Sequence, residues 1–286
     1  MRKKTRTQHD MFKLINTGYF FADGGAMFGA IPKVTWSRSY PANERNLCVM
    51  AMHAGVVVTG DGHVIVVDPG VGQDRLKDKP AAYYQFHDTV DICDALQQEG
   101  IMPEDVTDVI FTHLHFDHCG AAVRKTADGS PEIVFPNAIH WVSRKQYENE
   151  RKPHPLEAES FLPGNTDVID KAGLLQLVEG TTTPFENLRM QLYDGHTTGQ
   201  IAAYIKYDNS TVVFPGDIIP LASQIVPERI SAYDLHPTLS YDSKTEILEK
   251  AASDDDIIVF FHDAYTSCAS IKKVRSSFKI NKKVDF

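Results

Sequence analysis

The chain has 286 residues, of which 42% are hydrophobic and 23% are charged, a composition typical of a soluble globular protein. Its formal net charge of −9 at pH 7 argues against general nucleic-acid binding, because proteins of that class present a basic face. No apolar run approaches membrane-spanning length, and the basic start MRKKTRTQHD lacks the apolar stretch of a secretory signal. We therefore expect a cytoplasmic protein with a loose tail over residues 1–10 and with neither membrane nor nucleic-acid partners.

The four cysteines are widely spaced and include no Cys-x-x-Cys pair. This pattern favours reduced thiols in the cytosol over a disulfide framework. Cys119 lies beside a histidine cluster, where it is either a zinc ligand or a small residue packed under a loop. We favour packing, because the nearby His and Asp side chains suffice for a metal site.

The first predicted element is an N-terminal strand that breaks at Asp23 and leads into a loop. This loop carries the large apolar residues Met27, Phe28 and Trp36. They are expected either to cover the core or to form an apolar wall of a substrate pocket.

A β-hairpin is predicted next, from Leu47–Val58, a Gly-Asp-Gly turn and His63–Val67. The second strand of this hairpin ends at Asp68, before a Pro-Gly turn. Asp68 has two interpretations at this point: it caps the turn, or it holds a metal-binding histidine by the second ring nitrogen.

After a helix predicted over Thr89–Glu99, the stretch VTDVIFTHLHFDHCG combines a short apolar strand with a cluster of metal-binding side chains. His113, His115, Asp117 and His118 fall within six residues, and imidazole and carboxylate are the ligands that zinc accepts. A continuing strand would turn His118 away from the other two histidines, so these residues must lie in a loop. The sequence therefore predicts a metal site that begins here.

The rest of the chain alternates short strands with helices and contains β-hairpins in each half. A helix is predicted to begin at Ala121–Lys125 and another over Asp242–Ala252, whereas the basic C-terminal tail is expected to be helical or loose. Residues 152–166 are rich in Pro and polar residues, which is typical of a lid or insertion. The alternation predicts two sheets packed face to face with helices outside, a four-layer αββα sandwich. We see no linker and expect a single domain over residues 1–286.

Three further polar residues, His196, Asp217 and His262, each follow an apolar run and so lie at strand ends. Together with the cluster they supply seven metal-binding side chains. One tetrahedral zinc needs only three or four ligands, so the set fits two metals.

In order and approximate spacing, these seven residues resemble the metallo-β-lactamase-fold hydrolases, over nearly the whole chain. The resemblance implies the αββα sandwich, with the site at one edge between the sheets. It also implies that Asp68 supports a metal-binding histidine, and that Asp217 bridges two metals. By this likeness one zinc is held by His113, His115 and His196, and the other by Asp117, His118 and His262.

Within that superfamily, the segments FADGGAMFGAIPKVTW, GDIIP and AYDL are similar to N-acyl homoserine lactone lactonases and methyl parathion hydrolases. The likeness implies hydrolysis of an ester-like bond in a small molecule, first of all a lactone such as N-acyl homoserine lactone. Hydrolysis of an organophosphate or other phosphoester is the alternative. Several lactonases place a substrate-contacting tyrosine three residues after the bridging Asp, where this chain has Pro220. Tyr233, in AYDL, is either its replacement or a core residue.

The expected mechanism uses two Zn²⁺ ions that share a bridging water and lower its pKa toward ~7. The resulting hydroxide would attack the carbonyl, with Asp117 orienting it and shuttling its proton. Fe, Mn and Co are the alternative metals, and iron would instead suit oxygen chemistry. A homodimer is compatible with the sequence. The expected pocket wall consists of Met27, Phe28, Trp36 and Phe161.

Overall fold

The structure is a computed structural model that describes residues 11–74, 83–207 and 209–286. The expected loose tail over residues 1–10 lies outside this description. The described strands, in chain order, are β1 (Met11–Asp23), β2 (Leu47–Val58), β3 (Val64–Val67), β4 (Asp108–Ile110), β5 (Val123–Lys125), β6 (Pro131–Ile133), β7 (Ile139–Ser143), β8 (Leu175–Val178), β9 (Thr182–Phe185), β10 (Leu188–Tyr193), β11 (Gln200–Tyr207), β12 (Ser210–Phe214), β13 (Ile257–Val259), β14 (Cys268–Val274) and β15 (Ser277–Lys283).

Most of the described helices are short, and the longest of them, Pro237–Asp254, has 18 residues. The described α-helices are α1 (Gly24–Phe28), α2 (Lys33–Trp36), α3 (Ile92–Gln98), α4 (Phe116–Cys119), α5 (Arg144–Arg151), α6 (Asn165–Lys171) and α7 (Pro237–Asp254). None of the described helices is long and apolar enough to cross a membrane. Asp23 ends β1 and caps α1, because its Oδ1 accepts hydrogen bonds from the backbone N–H groups of Gly25 and Ala26 at 2.7 and 3.0 Å.

Two sheets make up the body of the fold. The first has six strands in the order β1-β2-β3-β4-β7-β8, and the second has seven in the order β15-β14-β13-β12-β11-β10-β9. Strands β5 and β6 form a separate small hairpin. Within the first sheet β3, β4, β7 and β8 run parallel, and in the second β12 and β13 do. Parallel neighbours end at the same sheet edge, which brings the loops that follow them together.

Alternation along the strands builds three stacked apolar layers. In β3, Ile65 and Val67 face the core between the sheets, whereas Val64 and Val66 face a second core that includes Leu96 of α3. In the second sheet, Val212 and Phe214 of β12 point between the sheets, and Val213 points toward α7. The predicted four-layer αββα sandwich is confirmed.

Three local predictions were wrong. Residues 121–125 form no helix: a 3-10 turn over Gly120–Ala122 leads into β5. Helix α7 begins at Pro237 rather than Asp242, since proline suits the first helical turn. The basic tail is the β14–β15 hairpin, whose Ile271 and Phe278 are buried under α7. Its exposed lysines hide this alternation in the sequence.

One buried histidine far from the predicted site makes stability sensitive to acid. His140, in β7, is fully buried, and burial lowers the pKa of its imidazole from 6.5 to about 4. Between those pH values the unfolded chain takes up a proton that the folded protein does not, so the free energy of unfolding falls as pH falls. When the pH falls from 7 to 4.5, we expect the free energy of unfolding to decrease by about 2 kcal/mol less in His140→Leu than in the parent protein.

Urea unfolding of the metal-free protein at both pH values measures this difference. His154→Leu, at an exposed position, is the matched control and should follow the parent protein. Equal pH dependence in His140→Leu and the parent protein would contradict the assignment.

Candidate metal centre

The predicted metal-binding residues all follow strand ends at one edge of the sandwich. The loop after β4 carries His113 and His115, the turn between β10 and β11 carries His196, and Asp217 and His262 follow the parallel strands β12 and β13. Both sheets therefore contribute to one place, and neither sheet alone forms it.

The side chains predicted as ligands meet in one cluster. In each of three groups the potential ligand atoms lie within 4.8 Å of one another. All the histidines of this cluster are buried, and its two carboxylates, Asp117 and Asp217, are partly buried. The groups are His113, His115 and His196; His113, His118 and Asp217; and Asp117, His118 and His262.

In the first group, one nitrogen of the His115 ring and one of the His196 ring face each other. His196 Nδ1 lies 3.1 Å from Asp234 Oδ1, and His115 Nε2 lies 3.3 Å from Glu157 Oε2, so these nitrogens donate to the carboxylates. The other nitrogens, His115 Nδ1 and His196 Nε2, lie 3.1 Å apart, and in neutral rings both present lone pairs to the same point. Two facing lone pairs repel unless a cation lies between them.

The second histidine pair repeats this arrangement. His118 Nδ1 donates to Asp68 Oδ2 at 2.9 Å, and His262 Nδ1 donates to the carbonyl oxygen of Ala51 at 2.9 Å. Their Nε2 atoms lie 3.2 Å apart, and in neutral rings both present lone pairs to the same point. Asp68 is itself fixed by the backbone N–H and hydroxyl of Thr112, at 2.8 and 2.6 Å. Of its two interpretations, the contact with a histidine of the cluster is the one that the structure shows.

Two buried polar atoms in the cluster have no hydrogen-bond partner among the described residues. They are His113 Nε2 and Asp217 Oδ1. Burial alone would raise the pKa of the Asp217 carboxyl, but the His262 and His118 imidazoles outweigh it and hold this pKa well below its ordinary value. Orphaned lone pairs on neutral imidazole and on a carboxylate are the donor set that Zn²⁺ and similar divalent metals accept, so the residues fit such ions.

Two residues that support the cluster were not predicted from the sequence. Asp234 directly follows Tyr233 in AYDL, and Glu157 lies in the segment 152–166. A carboxylate that supports a metal-binding histidine has no fixed spacing from it, so neither residue stands out before folding. The sequence contains only a weak indication of them: Asp234 follows the candidate Tyr233, and Glu157 lies in the segment predicted to be a lid or insertion.

A cavity of about 190 Å³ opens onto the cluster. Met27 and Tyr233 line it, as expected, and Asp117, His115, His196, Asp217 and His262 form its floor. Its apolar walls include Phe20 and Phe116, which were not predicted. Pro220 also lines the cavity, so no hydroxyl is present at that position.

Three residues expected in the pocket wall do not line this cavity. Phe28 and Trp36 are buried and stack at 4.9 Å between ring centroids, covering the core instead. Trp36 packs so closely on Gly24 that a Cβ there would lie 2.3 Å from the indole, which explains the glycine. Phe161 lies behind the site, with its ring 5.2 Å from that of His115.

Cys119 packs under the metal-binding loop. It is buried, its thiol lies 3.4 Å from the Leu114 carbonyl oxygen, and burial raises its pKa well above the ordinary value. A thiol held in its protonated form is a poor ligand, in agreement with the packing interpretation. All four cysteines are free and buried.

Comparison with known proteins gives a family match. The family model described as the Metallo-beta-lactamase superfamily matches residues 52–262. The N-acyl homoserine lactonase AiiB of Agrobacterium fabrum is 24% identical over 186 residues, or 64% of this chain and 66% of that protein. The N-acyl homoserine lactonase AttM of Rhizobium radiobacter is 30% identical over 41% of this chain and 42% of that protein. Each alignment spans just under two thirds of its relative, or less.

Solved structures match over nearly the full length. A probable metal-dependent hydrolase from Staphylococcus aureus has a TM-score of 0.87 at 26% identity, over 99% of both chains. The dizinc quorum-quenching lactonase AidC has a TM-score of 0.77 at 20% identity, over 99% of this chain and 98% of that chain. At this identity the AidC match supports the fold alone.

Proposed function

Because the chain belongs to the metallo-beta-lactamase superfamily, we propose that it is a metal-dependent hydrolase that opens an ester-like bond, foremost that of a lactone such as an N-acyl homoserine lactone. The observation that carries the proposal is the two facing pairs of imidazole nitrogens, with two carboxylates, at the floor of an open cavity. The names of the relatives AiiB and AttM support the lactone as substrate.

Two divalent metals, which we take to be Zn²⁺, would when bound lower the pKa of a coordinated water and polarise a carbonyl oxygen. His113, His115 and His196 would hold one metal, and Asp117, His118 and His262 the other. Asp217 lies between the two sets: its Oδ1 is 3.3 Å from His118 Nε2 and from His262 Nε2, and its Oδ2 is 3.5 Å from His196 Nε2.

Asp117 is the residue placed to handle the proton. Its Oδ2 lies 3.4 Å from His262 Nε2, and the residue lines the cavity, so the carboxylate borders both the metal ligands and the substrate space. A carboxylate there orients the attacking water, accepts its proton at an oxygen and returns it to the leaving alkoxide. We infer this role for Asp117 alongside ligation.

The lining of the cavity includes both apolar and polar side chains, which would contact different parts of a substrate. Phe20, Met27 and Phe116 provide apolar wall, which suits an acyl chain and excludes water from the bond under attack. Tyr233, 39% exposed, provides a phenol on the wall next to Asp234. Partial burial raises the pKa of Tyr233 to about 12, so its hydroxyl keeps its proton and acts as a donor.

We expect Tyr233→Phe to lower kcat/KM for a lactone by about ten- to a hundredfold, with most of the loss in kcat. The reason is that a hydrogen bond to an oxygen that gains charge in the transition state is worth about 1.5–3 kcal/mol. Steady-state kinetics measures the change. Tyr241→Phe is the matched control, since Tyr241 is exposed to a similar degree, 41%, on α7. Equal kinetics in the parent protein and Tyr233→Phe would assign Tyr233 to packing.

A substrate panel tests the proposal as a whole. The zinc-loaded protein is assayed with homoserine lactones of several acyl lengths and, in parallel, with a phosphotriester. We expect lactone turnover that depends on acyl length. Turnover of the phosphotriester alone would select the organophosphate alternative, and turnover of neither substrate would refute hydrolysis of these bonds.

A further inference from the structure

A short stretch of residues 153–162, here called the strap, lies against the metal centre. It contains one turn of 3-10 helix, Ala158–Ser160, and most of its residues are exposed or half-exposed. Its two buried side chains are Glu157 and Phe161, both about 4% exposed. Both contact the same histidine of the centre, His115.

Glu157 is a buried carboxylate with a full set of donors. Its Oε2 accepts from the His115 ring at 3.3 Å and from the Thr197 hydroxyl at 2.8 Å, and its Oε1 accepts from Asn149 Nδ2 at 2.8 Å. A buried carboxyl group therefore contacts both His115 and the residue after His196.

The contact determines which nitrogen of His115 faces the centre. With Nε2–H donated to Glu157, the lone pair of Nδ1 points at His196 Nε2. Without that acceptor, the proton is free to move to Nδ1, where it would occupy the position of the metal. Glu157 thus keeps His115 in the tautomer that binds a metal.

Phe161 adds a second attachment. Its backbone forms an isolated antiparallel bridge with that of His115, and its ring packs against the imidazole. Between the two attachments, Ser160 lines the cavity, and just before Glu157 so does Leu156, which is 81% exposed. The residues that hold His115 and the residues that border the cavity mouth are therefore on one strap.

We propose that Glu157 is a positioning residue that couples metal binding at His115 to ordering of the strap over the cavity. This inference rests on the metal sites of the proposed function. Coupling between binding and a conformational equilibrium is reciprocal, so the ordered strap strengthens metal binding and the bound metal orders the strap. We expect the site formed by His113, His115 and His196 to respond to this coupling, because the strap contacts His115. Among the described residues, no hydrogen bond or ring contact joins the strap to Asp117, His118 or His262.

Metal affinity provides the first test. Zn²⁺ binding is measured by competition with a chromophoric chelator for the parent protein, Glu157→Gln and Glu157→Ala. Loss of a carboxylate that supports a ligand histidine weakens metal binding about 10- to 100-fold. We expect the affinity for one of the two zinc equivalents to fall about tenfold in Glu157→Gln, because glutamine keeps one acceptor oxygen. In Glu157→Ala we expect the same affinity to fall about 100-fold. Glu159→Gln, exposed on the same strap, should bind both equivalents as the parent does.

Hydrogen exchange of residues 153–162 provides a readout that does not involve activity. In the parent protein, zinc should slow exchange in the strap, and in Glu157→Gln this protection should be lost while the sheets stay protected. Retention of both zinc affinities and of strap protection in Glu157→Gln would overturn the inference, as would equal weakening of both equivalents. Failure of the parent protein to bind zinc would overturn the proposed function together with it.

Discussion

Replacing Asp217 with Asn should reduce kcat/KM about a thousandfold, which corresponds to ~4 kcal/mol of transition-state stabilisation. Among the described residues, Asp217 is the one carboxylate whose two oxygens lie near ligands of both proposed metals. An amide offers a single acceptor oxygen and turns N–H groups toward bare imidazole nitrogens, so it serves one metal at most. The zinc content, measured by mass spectrometry, should fall from two toward one per chain.

Asp242→Asn makes the same chemical change at an exposed position of α7 and should leave both zinc content and kcat/KM unchanged. Unchanged turnover in Asp217→Asn would refute the dinuclear centre. Lost turnover with two zinc ions retained would show that the carboxylate acts on the substrate rather than on the metals.

Removing the metals should abolish lactone turnover and destabilise the fold. Without metals, two pairs of imidazole nitrogens face each other at 3.1 and 3.2 Å, and Asp217 Oδ1 is buried without a hydrogen-bond partner among the described residues. Adding zinc at a hundred times its dissociation constant should raise the free energy of unfolding by about 2.7 kcal/mol per site. Chelator treatment, dialysis and urea unfolding with and without zinc measure this difference.

Mg²⁺ is the matched control for zinc. It prefers oxygen ligands and octahedral geometry, whereas the cluster is rich in imidazole nitrogen. Mg²⁺ at the same concentration should restore neither stability nor turnover. Full activity of the chelated protein, or equal rescue by Mg²⁺, would contradict a zinc-type centre.

The metal-binding residues were predictable because they leave a local signature. Each follows an apolar run, and the end of a buried strand is where a sheet presents polar groups. His113, His115 and His118 also share a loop, which a pattern within a few residues reveals. The two-sheet layering was predictable for the same reason, since the alternation in strands such as Val64–Val67 is visible in the sequence.

The pocket wall and the supporting acids depended on contacts between distant segments. Phe28 and Trp36 stack on each other and cover the core. The local sequence pattern does not distinguish aromatic residues that cover a core from aromatic residues that line a cavity. Glu157 reaches His115 from 42 residues away, and Asp234 reaches His196 from 38. Such pairs become visible only when the chain path is known.

The distribution of the centre along the chain has a consequence for how the protein folds. His262 Nδ1 donates to the Ala51 carbonyl oxygen across 211 residues, and the remaining ligands come from loops of both sheets. Contacts of such high sequence separation form late, after the entropy of closing long loops has been overcome. The complete centre is therefore absent from an early folding nucleus, and metals bound there act chiefly by slowing unfolding. We therefore expect bound metals to lengthen the lifetime of the folded protein more than they speed its folding.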